Sequence, residues 1–106
     1  MLKKLFAAGA LGAMLLTSGT ALAHSPICSC FDNGDGTITC EGGFSDGSSA
    51  AGVKMFVKDA SGTVLIEGKM SKDSDYTFDK PKTGYTVMFD AGDGHSIEIS
   101  GDKIVE

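Results

Sequence analysis

Arginine and tryptophan are absent from this chain of 106 residues, and proline occurs only 2 times. All 9 basic residues are therefore lysines, and against 14 acidic residues they give a formal net charge of −5. A nucleic-acid-binding protein needs a basic face, so this charge balance argues against that class. The length allows one small domain and excludes a multidomain enzyme.

Motifs of enzyme active sites are also missing. The chain has no phosphate-binding glycine loop, no HExxH motif, no Ser/His/Asp arrangement with supporting motifs and no Cys-x-x-Cys redox motif. The segment 32–36 (DNGDG) resembles a calcium loop only superficially, because it lacks the alternating acids and the terminal Glu of the twelve-residue pattern. We predict a turn at 32–36 and no enzymatic activity.

The first 23 residues have the organisation of a secretory signal peptide. Lys3 and Lys4 form a positive start, an apolar segment covers 5–16, and residues 21–23 form an A-x-A cleavage site. The apolar segment is too short for a transmembrane span of about 20 residues, and no stop-transfer pattern follows it. We expect cleavage after Ala23, a periplasmic or secreted protein, and a mature domain 24–106 without a transmembrane anchor.

Past residue 23 the apolar residues no longer follow a helical period. Short runs of alternating apolar and polar residues are separated by turn residues, at intervals of about 8–12 residues. This pattern predicts an all-β domain, an antiparallel two-sheet sandwich of about seven strands with immunoglobulin-like dimensions. The expected strands are 27–31, 37–44, 53–59, 63–69, 76–79, 85–91 and 95–100, and the tail 103–106 is expected to extend one edge.

Cleavage after Ala23 would make His24 the new N-terminal residue. A terminal histidine offers the α-amine and the imidazole Nδ1, which together close a chelate ring on one metal ion. Both nitrogens can be neutral donors at mildly alkaline pH. This donor set suits Cu²⁺, Ni²⁺ and Co²⁺. The alternative is that cleavage leaves an unstructured polar end.

His95 is the other of the 2 histidines, and it follows the glycine-rich segment 90–94 (DAGDG) before the last expected strand. The small neighbours let a ligand approach the backbone closely. In a sandwich His24 and His95 can lie at the same end, so we hypothesise a shared metal site, with Asp93 supporting the ring of His95. The alternative is an exposed turn histidine.

The 3 cysteines are an odd number for an exported protein. Cys28 and Cys30 point to one face of an extended strand, and Cys40 lies on the returning strand of the same hairpin. One disulfide from Cys40 to Cys30 or Cys28 is expected, with a contribution of about 3 kcal/mol. Two interpretations of the three sulfurs are open. They form a disulfide and leave one free thiol, or they are thiolates that join His24 as ligands of a metal ion.

Four segments carry a resemblance to a known family: 43–47 (GFSDG), 51–68, 76–81 (YTFDKP) and 90–95 (DAGDGH). Together they resemble the small periplasmic accessory component of nickel/cobalt energy-coupling-factor (ECF) transporters, a family similar to the carboxypeptidase regulatory-like, transthyretin-like β-sandwiches. The resemblance implies a metal-handling role upstream of an uptake permease, with His24 and His95 as ligands. Cys28, Cys30 and Cys40 depart from the family pattern and favour softer ions such as Cu⁺.

The main hypothesis is therefore an exported, non-enzymatic metal-binding protein that binds Ni²⁺ or Co²⁺ for a membrane metal permease. Its candidate ligands are His24, His95, Cys28, Cys30 and Cys40. One alternative is a copper-binding or thiol-redox periplasmic protein that uses the cysteines. The other is a structural or protein-binding β-sandwich module.

Overall fold

A computed structural model describes residues 24–106, and the signal peptide predicted at 1–23 lies outside the described residues. Residues 24–106 form seven β-strands and one short 3-10 helix, η1. Every strand begins and ends within one residue of its predicted bounds. The elements are β1 (Pro26–Asp32), β2 (Thr37–Phe44), β3 (Lys54–Asp59), β4 (Val64–Lys69), β5 (Asp75–Asp79), β6 (Tyr85–Asp90), β7 (Ser96–Ser100) and η1 (Gly101–Lys103).

The strands pair into two antiparallel sheets. One sheet has the strand order β1-β2-β5 and the other has the order β4-β3-β6-β7. The predicted all-β fold with two antiparallel sheets is therefore confirmed. The edge strands β1 and β7 belong to different sheets and lie close to each other, so they form one side of the sandwich. Within residues 24–106, no helix is both long enough and apolar enough to cross a membrane.

The core lies between the two sheets and is built from the alternating residues of the central strands. Each of these strands turns every second side chain inward. The inward side chains come from both sheets and form one cluster, and burial of each large one contributes about 1.5–3 kcal/mol. The largest fully buried side chains are Phe89, Ile38, Met55, Val57, Val87 and Cys40.

The C-terminal tail does not form the edge strand expected at 103–106. After η1, the side chain of Ile104 is only 5 % exposed and packs into the core. The carbonyl of Val105 accepts a hydrogen bond of 2.9 Å from the backbone N–H of Asp32. The tail turns inward because Ile104 gains more by burial than it would at an exposed sheet edge.

One end of the sandwich, here called the proximal end, collects the starts of β1, β3 and β7 and the ends of β2 and β6. The register pairs Pro26 with Phe44 in one sheet, and Asp90 with both Lys54 and Ser96 in the other. The rings of Phe44 and Phe89, with centroids 6.1 Å apart, connect the two sheets at this end. Residues just before β1 and β7 therefore meet at the proximal end.

The first prediction tests whether the inter-sheet core carries the stability. Phe89→Ala should lower the free energy of unfolding by about 3–5 kcal/mol, because it empties a fully buried site. Leu65→Ala is the matched control, since Leu65 is 47 % exposed and its truncation should cost within about 0.5 kcal/mol. Urea denaturation measures both, and equal losses would contradict this description of the core.

Candidate functional site

A shallow pocket of about 300 Å³ opens at the proximal end, and it is lined by His24, Phe44, Ser48, Ala91 and His95. His24 lies two residues before the start of β1, and His95 immediately precedes β7. The antiparallel register brings these distant parts of the sequence to the same surface. The two histidines thus lie together, and their role as metal ligands stays a prediction.

His24 is positioned by backbone pairing that continues beyond the β1–β2 ladder. The backbone N–H of Ser25 donates a hydrogen bond to the Ser45 hydroxyl at 3.0 Å. In return, the backbone N–H of Ser45 donates to the Ser25 carbonyl at 2.9 Å. These bonds hold His24 beside Asp46, with its Nδ1 2.6 Å from Asp46 Oδ2. The His24 side chain nevertheless stays 65 % exposed, so a dissolved ion can reach it.

The carboxylate of Asp46 is itself held in place by the turn that follows it. The hydroxyl and the backbone N–H of Ser48 donate to Asp46 Oδ1 at 2.6 and 2.9 Å. The Ser48 hydroxyl, above all, holds the pKa of Asp46 below its usual range. The carboxylate accepts a hydrogen bond from Nδ1 of His24, and in the tautomer whose only ring proton is on Nδ1 the Nε2 lone pair is free.

His95 is positioned by a tight turn that needs glycine. Gly92 and Gly94 have φ angles of +111° and +74°, a region that L side chains rarely adopt. Asp90 Oδ1 accepts a hydrogen bond from the backbone N–H of Gly92 at 3.0 Å, which fixes the turn. Nδ1 of His95 lies 2.9 Å from the backbone carbonyl oxygen of Asp93. When Nδ1 carries the ring proton and donates it to this carbonyl, the Nε2 lone pair is free.

Both imidazoles therefore have Nδ1 engaged by an acceptor of the protein itself. Metal-binding histidines commonly use one ring nitrogen for the ion and the other for such an acceptor. The predicted partner of His95, Asp93, contributes its backbone carbonyl. The chelate expected through Nδ1 of His24 would have to displace Asp46, so the geometry favours Nε2 as the ligand atom of each ring.

The cysteines lie on the inward face of the β1–β2 hairpin. Cys30 and Cys40 are direct partners across the two strands and form a disulfide, which decides between the two pairings that the sequence allowed. Cys28 is the free thiol and is half-buried. Burial raises the pKa of the Cys28 thiol to about 11, so at neutral pH it is protonated.

The three sulfur atoms all lie within 4.8 Å of one another. While Cys30 and Cys40 are bonded, neither is a thiolate, so only Cys28 can supply one. Within residues 24–106, only these cysteines form a group of three or more possible metal ligands at such short distances, and no histidine belongs to it. The sequence-based set of five ligands thus separates into a histidine pair and a sulfur cluster.

The segment 32–36 forms the turn that the sequence predicted. Asp32 Oδ1 accepts the backbone N–H of Gly34 at 2.8 Å, and Asp35 Oδ1 accepts that of Thr37 at 3.0 Å. Asp32 Oδ2 also pairs with the ammonium group of Lys80 at 2.9 Å. Hydrogen bonds from the turn itself and the ion pair with Lys80 thus occupy these carboxylates.

No protein-family model, no curated protein and no solved structure matches this chain. The likeness to the transporter component therefore rests on the four segments of the sequence alone. Two residues that line the pocket, Phe44 and Ser48, escaped the sequence analysis, and so did Asp46, which contacts His24. The Asp-Gly-Ser spacing at 46–48 indicates a turn, and only the tertiary fold places that turn beside His24.

The second prediction tests the cysteine pairing. Under denaturing, non-reducing conditions, the wild type should show one free thiol and Cys28→Ser should show none, because Cys30 and Cys40 are bonded. The double variant Cys30→Ala/Cys40→Ala should lose about 3 kcal/mol of stability, as expected for a short closed loop. A free thiol in Cys28→Ser would instead indicate that Cys28 takes part in the disulfide.

Proposed function

We propose that this protein is an exported, non-enzymatic metal-binding accessory protein that holds Ni²⁺ or Co²⁺ as cargo for an uptake permease in the membrane. The observation that supports the proposal best is the pocket shared by His24 and His95 at the proximal end. Each ring has its Nδ1 engaged by an internal acceptor, so each can offer Nε2 to an ion.

The chemistry of these ligands fits borderline divalent cations. Imidazole nitrogen is a good ligand for Ni²⁺ and also for Cu²⁺ and Zn²⁺, while Mg²⁺ and Ca²⁺ prefer oxygen ligands. Two imidazoles fill only part of the coordination sphere, and water can fill the other positions. An incomplete protein shell suits a carrier, because a partner can add its own ligands and withdraw the ion.

Charge also favours a cationic cargo. After removal of residues 1–23, the chain would have 7 lysines against 14 acidic residues, a net charge of −7. Three of the acids lie at the proximal end against one lysine: Asp46 contacts His24, while Asp90, Asp93 and Lys54 line a neighbouring pocket of about 460 Å³ that shares Ala91 with the histidine pocket. A negative surface of this kind raises the local cation concentration.

The disulfide bears on the location of the protein, and the family resemblance bears on its partner. The Cys30–Cys40 disulfide suits an oxidising compartment, in agreement with the signal peptide that residues 1–23 predict. The permease is the partner that the family resemblance implies.

The third prediction tests the histidine site by calorimetry, with a processed chain whose N-terminus at His24 has been checked by intact mass. His24→Ala and His95→Ala should each weaken Ni²⁺ or Co²⁺ binding at least tenfold. Loss of a partner beside a metal ligand typically costs 10–100-fold, and loss of a ligand should cost no less. Asp102→Asn, an exposed acid in η1, is the control that should bind as the wild type does. Wild-type affinity in both histidine variants would contradict the proposal.

The contribution of the α-amine needs a separate variant. A chain that keeps Ala23 in front of His24 loses the free amine at His24 but keeps both imidazoles. Because the geometry favours Nε2 of His24, which points away from the amine, we expect this chain to bind as tightly as the processed chain. Weaker binding would instead indicate that the amine and Nδ1 chelate the ion after Asp46 is displaced.

A further inference from the structure

The sulfur cluster is a second place where the structure concentrates metal-binding atoms, and the proposed function does not use it. Cys28 and Cys30 lie two residues apart on β1, and Cys40 faces them from β2. The three sulfur atoms lie within 4.8 Å of one another. Cys40 is fully buried, while Cys28 and Cys30 are half-buried on an edge strand, so an ion can enter from the side of the sandwich.

The spacing of these sulfurs suits a single ion. Metal–thiolate bonds of about 2.3 Å place three sulfurs around one ion at separations of about 4 Å. The sulfurs of the cluster lie within 4.8 Å of one another, close to that separation, but the bonded pair of Cys30 and Cys40 must first move apart. A side-chain rotation at Cys30 can provide this movement while both strands keep their register.

The surroundings of the cluster decide which ion fits. Cys28 is paired with Gly42, where a Cβ atom would lie 2.7 Å from the ring of Phe89, so apolar groups pack tightly there. In the described part of the chain, the cluster contains no fourth ligand from another Cys, His, Asp or Glu. Structural zinc sites use four ligands, whereas three thiolates without a fourth ligand suit a soft ion such as Cu⁺, which accepts three-coordination.

We propose that reduction of the Cys30–Cys40 disulfide turns Cys28, Cys30 and Cys40 into a three-thiolate site for a soft monovalent cation such as Cu⁺. A dithiol reductant gives two electrons and two protons to the disulfide. The sulfur–sulfur bond breaks, Cys30 and Cys40 become thiols, and the reductant closes into its own disulfide. The incoming cation then bonds to the three sulfurs, and their protons pass to water.

This site is separate from the histidine pocket in both position and chemistry. It needs the reduced protein and sulfur ligands, while His24 and His95 bind their ion with the disulfide intact. The redox state of the disulfide therefore controls metal binding at the sulfur cluster, because the oxidised protein has one thiol here and the reduced protein has three. The absence of metal binding at one site would therefore leave the proposal for the other site standing. Cysteine variants test the sulfur cluster, and histidine variants test the pocket.

The fourth prediction uses anaerobic titration of the protein with Cu⁺ against a chromophoric Cu⁺ chelator. The protein reduced by a phosphine should bind one Cu⁺, with the ultraviolet charge-transfer absorption of copper–thiolate bonds. The oxidised protein should bind at least tenfold more weakly. Cys28→Ser keeps the stabilising disulfide when oxidised, and in its reduced form it should also bind at least tenfold more weakly. Ser29→Ala is the matched control on β1 and should bind as the wild type does.

Thermal unfolding provides a readout that needs the folded site. Cu⁺ should raise the Tm of the reduced wild type, because an ion that binds the folded state stabilises it, and should raise that of reduced Cys28→Ser clearly less. The double variant His24→Ala/His95→Ala should keep the full shift. Equal Cu⁺ affinity in reduced wild type and Cys28→Ser, loss of the shift in the histidine variant, or a larger shift with Zn²⁺ than with Cu⁺ would overturn the proposal.

Discussion

The structure depends on the contact between the inner faces of its two sheets. Every second residue of the central strands enters this contact, and a shift of one residue in register would turn a whole set of apolar side chains to solvent. Ile38 and Cys40 on β2 and Val87 and Phe89 on β6 are fully buried for this reason. The register that buries them also opposes Cys30 to Cys40 and aligns the starts of β1 and β7.

The fold could be predicted from the sequence because its signals are local. Alternation identifies the strands, and Asp-Gly and Asn-Gly pairs identify the turns, so each strand begins and ends within one residue of its predicted bounds. The prediction that the tail 103–106 extends a sheet edge was wrong. Ile104 has the same hydrophobicity at an edge as in a core, and only the packing around it shows that it turns inward.

The candidate sites could be predicted only in part. Residue types and the strand starts suggested that His24 and His95 can share one end, and the structure places both in one pocket. The choice between Cys28 and Cys30 as the partner of Cys40 depended on the hairpin register, which the sequence left open. Asp46 was missed because its contact with His24 joins two segments that no local pattern connects.

The proposed function places one metal ion between the two imidazoles at the proximal end. Its most direct test is NMR of the processed, oxidised protein with substoichiometric Co²⁺, since this paramagnetic ion broadens the amide signals nearest to it. The proposal predicts broadening centred on Ser25, 44–48 and 91–95, while 34–36 and 101–106 at the opposite end keep their line widths. Broadening centred on any other part of the domain, or spread evenly over it, would contradict a metal site at the two histidines.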